Sequence, residues 1–96
     1  MSVPSRFPSA VVDLAFVTPR TVHAADLAHT LRASSDLVES VNLFDVYEGP
    51  GLPDGTRSLA YAVRFSSIER TLSDAEITSE RAALIEAAQS LNATLR

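Results

Sequence analysis

Six side chains have the types to do chemistry: Tyr47, Ser58, Arg64, Arg96 and the carboxylates of Asp13 and Asp45. Two carboxylates on one face can share acid–base work. A phenol ring, a hydroxyl and guanidinium forks suit a different task. They can hold a flat, hydrogen-bonding ligand such as an unstacked RNA base. The rest of the sequence narrows the choice. There is no cysteine, which excludes a disulfide scaffold, a thiolate metal site and a cysteine nucleophile. His23 and His29 are six positions apart. On a helix they point to different sides, so they do not form a metal pair and read as solvated helix-surface histidines. Gly49, Gly51 and Gly55 are the only glycines, and all fall in one turn-like stretch. No glycine-rich phosphate loop exists, and no nucleophile sits at readable spacing from a base. Asp13 and Asp45 are more simply read as partners of an Arg on their face or as caps of nearby backbone. The sequence therefore offers no enzyme active site.

The chain has 96 residues, a formal net charge of −4 and 46% apolar residues. That is the composition of one globular domain. All eight basic residues are arginine. The acidic balance opposes non-specific nucleic-acid binding, which rests on positive charge, but leaves room for a local basic or stacking site. No apolar run approaches the ~18–20 residues that cross a bilayer, and the first residues lack a signal-peptide pattern. A soluble, cytoplasmic domain with no membrane or DNA partner is expected.

Residues 1–8 contain Pro4 and Pro8 and read as an extended lead-in to a domain over 9–96. Residues 10–18 are β-branched and aromatic, a strand that Pro19 ends. Residues 22–34 carry Ala24, Leu27, Ala28 and Leu31 at helical spacing, with Thr21 as N-cap. Residues 37–48 and 56–67 read as two strands joined by the Gly/Pro-rich stretch 49–55. Residues 74–91 form a second helix, introduced by the Ser73–Glu76 capping box and stopped near Asn92. Its buried stripe is Ile77, Leu84, Ala88 and Leu91. Residues 93–96 make a last short strand. The order β-α-β-β-α-β predicts an α+β, ferredoxin-like fold: a four-stranded antiparallel sheet with two helices on one face.

Alternation then sorts the strands. Leu14, Phe16, Phe44, Val46, Leu59, Tyr61, Val63, Phe65 and Leu95 are expected under the helices. Asp13, Ala15, Val17, Asp45, Tyr47, Ser58, Ala60, Ala62, Arg64, Thr94 and Arg96 are expected on the open face. Small side chains at Ala15, Ala60 and Ala62 keep that face shallow. It reads either as a half-polar solvated sheet face, common in antiparallel sheets, or as a binding surface.

Four stretches in order resemble a known module. They are Phe7-Pro8 with Asp13-Leu14-Ala15-Phe16-Val17, then Asn42 to Gly49 with its Leu-Phe-Asp-Val-Tyr core, then Arg57-Ser58-Leu59-Ala60-Tyr61, then Arg70 to Ile77. The closing Ala93-Thr94-Leu95-Arg96 also fits. The chain resembles the ferredoxin-fold anticodon-binding domain, the C-terminal domain of the bacterial phenylalanyl-tRNA synthetase β subunit. The resemblance implies a non-catalytic domain without a cofactor of its own. It would hold the anticodon of phenylalanine tRNA while a distant catalytic module, using ATP and magnesium, attaches the amino acid. Its partners would be that tRNA, the rest of the β subunit and the α subunit. Base stacking would fall to Tyr47, and further anticodon contacts to Ser58 and Arg96. Asp13, Asp45, Ala60 and Arg64 share the face and complete the candidate RNA-binding set.

The chain departs from the family pattern at Val12, where many members have Arg, and at Glu48 and Pro50, where some carry basic residues. These changes remove attraction for phosphate. A free-standing ferredoxin-like module for protein interaction or a small ligand is the alternative, because this fold hosts many functions.

Overall fold

The computed structural model describes residues 9–67 and 71–96. The expected lead-in, with Phe7-Pro8, lies outside these residues, as does Arg70. Six elements follow in the expected order: β1 (Ala10–Pro19), α1 (Ala24–Ala33), β2 (Val38–Tyr47), β3 (Thr56–Phe65), α2 (Asp74–Gln89) and β4 (Thr94–Leu95). The strands form one antiparallel sheet ordered β2-β3-β1-β4. The long β-branched and aromatic runs at β1 and β3 thus occupy the two central positions, where both neighbours are strands.

One side of the sheet carries the core. Leu14 and Phe16 of β1 and Leu59, Tyr61, Val63 and Phe65 of β3 are buried there. Leu27 and Leu31 of α1 and Leu84 and Ala88 of α2 belong to the same cluster. Spacings of four on each helix put these residues on one stripe, so both helices cover one face. Among the described residues no layer covers the other face.

Helix ends follow local chemistry. Ser73 Oγ accepts from the Glu76 N–H, and the Glu76 carboxylate accepts from the Ser73 N–H, each at 3.2 Å. The expected box is therefore present. Asn92 takes a left-handed φ of 59°, and the Ala93 N–H donates to the Ala88 carbonyl, which ends α2 two residues before the expected limit. The start of α1 differs more. Its N-cap is His23, not Thr21, and no side chain caps it. A tight turn intervenes, closed by the Val22 N–H on the Pro19 carbonyl at 3.0 Å. Arg57 holds that turn by donating from Nη2 to the Val22 carbonyl at 3.2 Å.

Three side chains expected under the helices lie in the open. Phe44 is 58% exposed, Val46 47% and Leu95 38%. Val46 and Leu95 keep the expected side of the sheet, opposite Leu59 and Phe16. They stand on the two edge strands, beyond the width that two helices cover. Phe44 has a different cause, a break in the β2 register between Leu43 and Asp45.

Among the described residues of the core cluster, Tyr61 is the side chain with a polar end. Its hydroxyl donates to the Ala24 carbonyl at 2.7 Å, and its ring packs on Phe16 with centroids 6.5 Å apart. Burial pushes its pKa up from 10.0 to about 12, against the opposing pull of Arg57. In the unfolded chain the phenol ionises near 10, so above that pH the unfolded state holds fewer protons. Stability is then complete below about pH 10 and falls as pH rises toward 12. Urea unfolding followed by circular dichroism between neutral and strongly alkaline pH tests this. Tyr61→Phe is expected to flatten the alkaline fall; an unchanged fall in that variant would refute the assignment.

Candidate functional site

Register turns the open face into rows. Tyr47 of β2 stands opposite Ser58 of β3, which stands opposite Val17 of β1, which stands opposite Thr94 of β4. The next row is Asp45, Ala60 and Ala15, closed by Arg96, whose N–H donates to the Ala15 carbonyl at 2.8 Å. Asn42, Ala62 and Asp13 form the third row, and Ser40, Arg64 and Val11 the fourth. The central strands therefore offer a floor of Ser, Ala and Val, with the larger side chains on the flanks.

Tyr47 is fixed at the hairpin end. Its hydroxyl donates to the Pro50 carbonyl at 2.9 Å. The backbone of Gly49 comes close beneath the phenol: a Cβ there would lie 3.2 Å from the Tyr47 oxygen, and its φ is +152°. Any other residue would crowd the ring and strain the turn. The Arg96 guanidinium lies over the Tyr47 ring, 5.0 Å from its centroid, within cation–π range. The two side chains start on opposite edge strands, about 14 Å apart at three strand spacings. They meet across the two inner strands. This bridge accounts for Ser58, expected as an accessible hydroxyl but only 3% exposed. Ser58 is part of the floor under the bridge.

The remaining expected residues divide. Tyr47, Ser58, Ala60, Asp45 and Arg96 fall in two adjacent rows. Arg64 is six residues along β3 from Ser58, about 20 Å away, and donates from Nη1 to Ser9 Oγ at 2.6 Å. It belongs to the other end of the sheet. Asp13 and Asp45 are separated by β3 and one row, about 12 Å between backbones, too far to share a proton. Nor do they pair with an arginine or cap backbone: among the described residues neither carboxylate has a hydrogen bond or ion pair. No three His, Asp or Glu side chains among the described residues gather into a metal site. No helix in the described residues is long and apolar enough to cross a membrane.

Three further placements bear on charge and shape. Glu48 pairs with Arg20 at 3.3 Å, which offsets its repulsion of phosphate. Arg57 lies in alternation with Leu59 and Tyr61 and so points away from the open face. Phe44 joins that face. Leu43 opposes Tyr61 and Val46 opposes Leu59, both on the helix side, while Asp45 opposes Ala60. Two residues thus stand where regular alternation allows one. Phe44 is that extra residue and has no partner of its own on β3. The sequence signal was present, since Leu43 and Phe44 are adjacent large apolar residues that cannot both face one core.

Comparison with known proteins agrees with this architecture. The family model described as "Ferredoxin-fold anticodon binding domain" matches residues 5–96. The phenylalanine–tRNA ligase beta subunit of Moorella thermoacetica is 42% identical over 93 residues, covering 95% of this chain and 12% of that protein. The beta subunit from Streptomyces avermitilis is 46% identical over 94 residues, 96% of this chain and 11% of that protein. The one from Geobacillus kaustophilus is 47% identical over 75 residues, 77% and 9% respectively. The chain thus spans about a tenth of the length of these relatives.

Proposed function

Since the chain belongs to the ferredoxin-fold anticodon binding domain family, we propose that its open face holds the anticodon of phenylalanine tRNA. Residues 9–96 form the binding domain, and Tyr47 is its stacking platform. The observation that carries this reading is the Tyr47–Arg96 bridge above a floor of small residues. An aromatic face, a guanidinium and a shallow bed are what an unstacked base requires. Asp45 flanks the bed, and among the described residues nothing engages its carboxylate, which could accept from amino and imino N–H groups. Ala60 and Ser58 contribute shape and backbone proximity more than side-chain contacts. Arg64 and Asp13 lie further along the same face, where they would meet RNA beyond the base on Tyr47.

The domain does no chemistry of its own. Its place is within a synthetase like the relatives it matches, in the cytoplasm, beside the rest of a β subunit and an α subunit. ATP and magnesium would serve the catalytic module of that assembly. The protein-interaction alternative has less support. Of the two edges, β4 is only two residues long, and β2 carries two register breaks, between Val38 and Ser40 and between Leu43 and Asp45; short strands and bulges oppose strand addition.

A salt titration of binding to a labelled anticodon stem-loop of phenylalanine tRNA tests the reading. The native anticodon is expected to bind more tightly than a changed one at every salt concentration. Affinity for both should fall as salt rises, with a shallow slope because few arginines face the RNA. Equal binding of both loops at low salt would overturn it.

A further inference from the structure

Among the described residues, Phe44 is the largest exposed apolar side chain. It is 58% exposed, outside the core cluster, and stands unpaired at the register break in β2. A single exposed apolar side chain is ordinary on any protein surface, so the case for Phe44 rests on what stands beside it. Asp45, the next residue, pairs with Ala60, and neither Asp45 oxygen is engaged within the described residues. Tyr47, three residues on, carries the Arg96 guanidinium. The three-residue step spans at most about 10 Å.

We propose that Phe44 is a second stacking platform, for an unpaired nucleotide base other than the one held on Tyr47. The proposal rests on the anticodon reading above and extends it from one base to two. A strand of RNA lying along β2 would place one base on Tyr47 and another on Phe44, with the carboxylate of Asp45 between them to accept from base N–H groups. The bulge makes this possible. A regular strand would send the residue before Asp45 to the helix side, whereas the extra residue brings an aromatic to the same face as Asp45 and Tyr47. Phenylalanine has no hydrogen-bonding group, so this platform adds affinity without choosing among bases. It also bears no charge, so its contribution does not depend on salt.

The test uses the full chain and anticodon stem-loops of phenylalanine tRNA, one intact and a series with a single abasic nucleotide at each loop position. Phe44→Ala is expected to weaken the intact loop about fivefold or more, with the same slope against salt as the parent chain. Phe44→Tyr keeps the affinity; Phe44→Leu, which is apolar but has no ring, loses most of it. An abasic site at one loop position should abolish the difference between Phe44→Ala and the parent. The position that does so for Tyr47→Ala should be a different one. Affinity of Phe44→Ala within about twofold of the parent on a loop that Tyr47→Ala releases would overturn this proposal alone and leave Phe44 as a protein contact. Coupling of both residues to one position, or full affinity in Phe44→Leu, would overturn it as well. A parent chain that binds no loop at low salt would remove the anticodon reading and this proposal with it. Thermal unfolding of Phe44→Ala, expected to match the parent, separates lost contact from lost fold.

Discussion

Phe16→Ala is expected to destabilise the domain by about 3–5 kcal/mol, the largest loss from any single truncation considered for this chain. Phe16 is fully buried in the middle of β1. Leu59 and Leu95 stand beside it on the flanking strands, and the Tyr61 ring packs against it. Removing the ring forfeits its transfer free energy and leaves a cavity that central strands, hydrogen-bonded on both sides, cannot close. A domain of this length has a total stability of about 5–14 kcal/mol. At the low end of that range the variant would stand near its unfolding midpoint, and at the high end it would stay folded with much of its stability gone. Equilibrium urea unfolding at neutral pH measures the loss. Phe16→Leu, closer in volume, should lose clearly less. A loss below about 1 kcal/mol for Phe16→Ala would mean that the sheet relaxes into the space, contrary to the tight packing described.

Tyr47→Ala is expected to weaken binding of the anticodon stem-loop by about 5- to 150-fold, the equivalent of ~1–3 kcal/mol for one stacked base. Tyr47→Phe separates the ring from its hydroxyl. It keeps the aromatic face and the guanidinium above it but gives up the bond to the Pro50 carbonyl. That bond is exposed, so the affinity of Tyr47→Phe should stay within about threefold of the parent. Arg96→Ala acts on both terms at once. It removes the cation from the ring, and it should lower the slope of log affinity against log salt by about one unit if the guanidinium reaches a phosphate. Fluorescence anisotropy over a salt series reads all three variants. Parent-like binding by Tyr47→Ala would remove the stacking role and, with it, the main support for the site.

What could be read from the sequence follows how local each determinant is. The Ser73–Glu76 box spans four residues and was legible as it stands. Leu59, Tyr61, Val63 and Phe65 alternate without a break, so β3 and its two faces were legible too. Tyr47, Asp45 and Arg96 fell on the expected face for the same reason. Ser58 was placed on the right side but given the wrong accessibility. Its cover comes from Tyr47 and Arg96, forty-nine positions apart in the chain, and no local pattern encodes such a meeting. Thr21 looked like a cap because threonine favours that position. The turn at Pro19–Val22, held by Arg57 from another strand, moved the helix start past it. Val46 and Leu95 had the right parity, but parity does not reveal which strands lie at the edges. Phe44 departs from the alternation because it is itself the extra residue, and a count by twos back from Tyr47 passes over the break unseen.

The register break at Phe44 also separates two things that usually change together. Opposite Tyr61 stands Leu43, and the next paired residue is Asp45 opposite Ala60. Excising Phe44 would therefore leave every other partner in β2 where it is, and the hairpin beyond would keep its phase. Insertions and deletions inside strands normally turn the rest of the strand over. At Phe44 the strand could lose one residue without moving the paired residues on either side of it. The length of β2 is thus free to drift at this point, answerable to what lies on the open face and not to the packing beneath it.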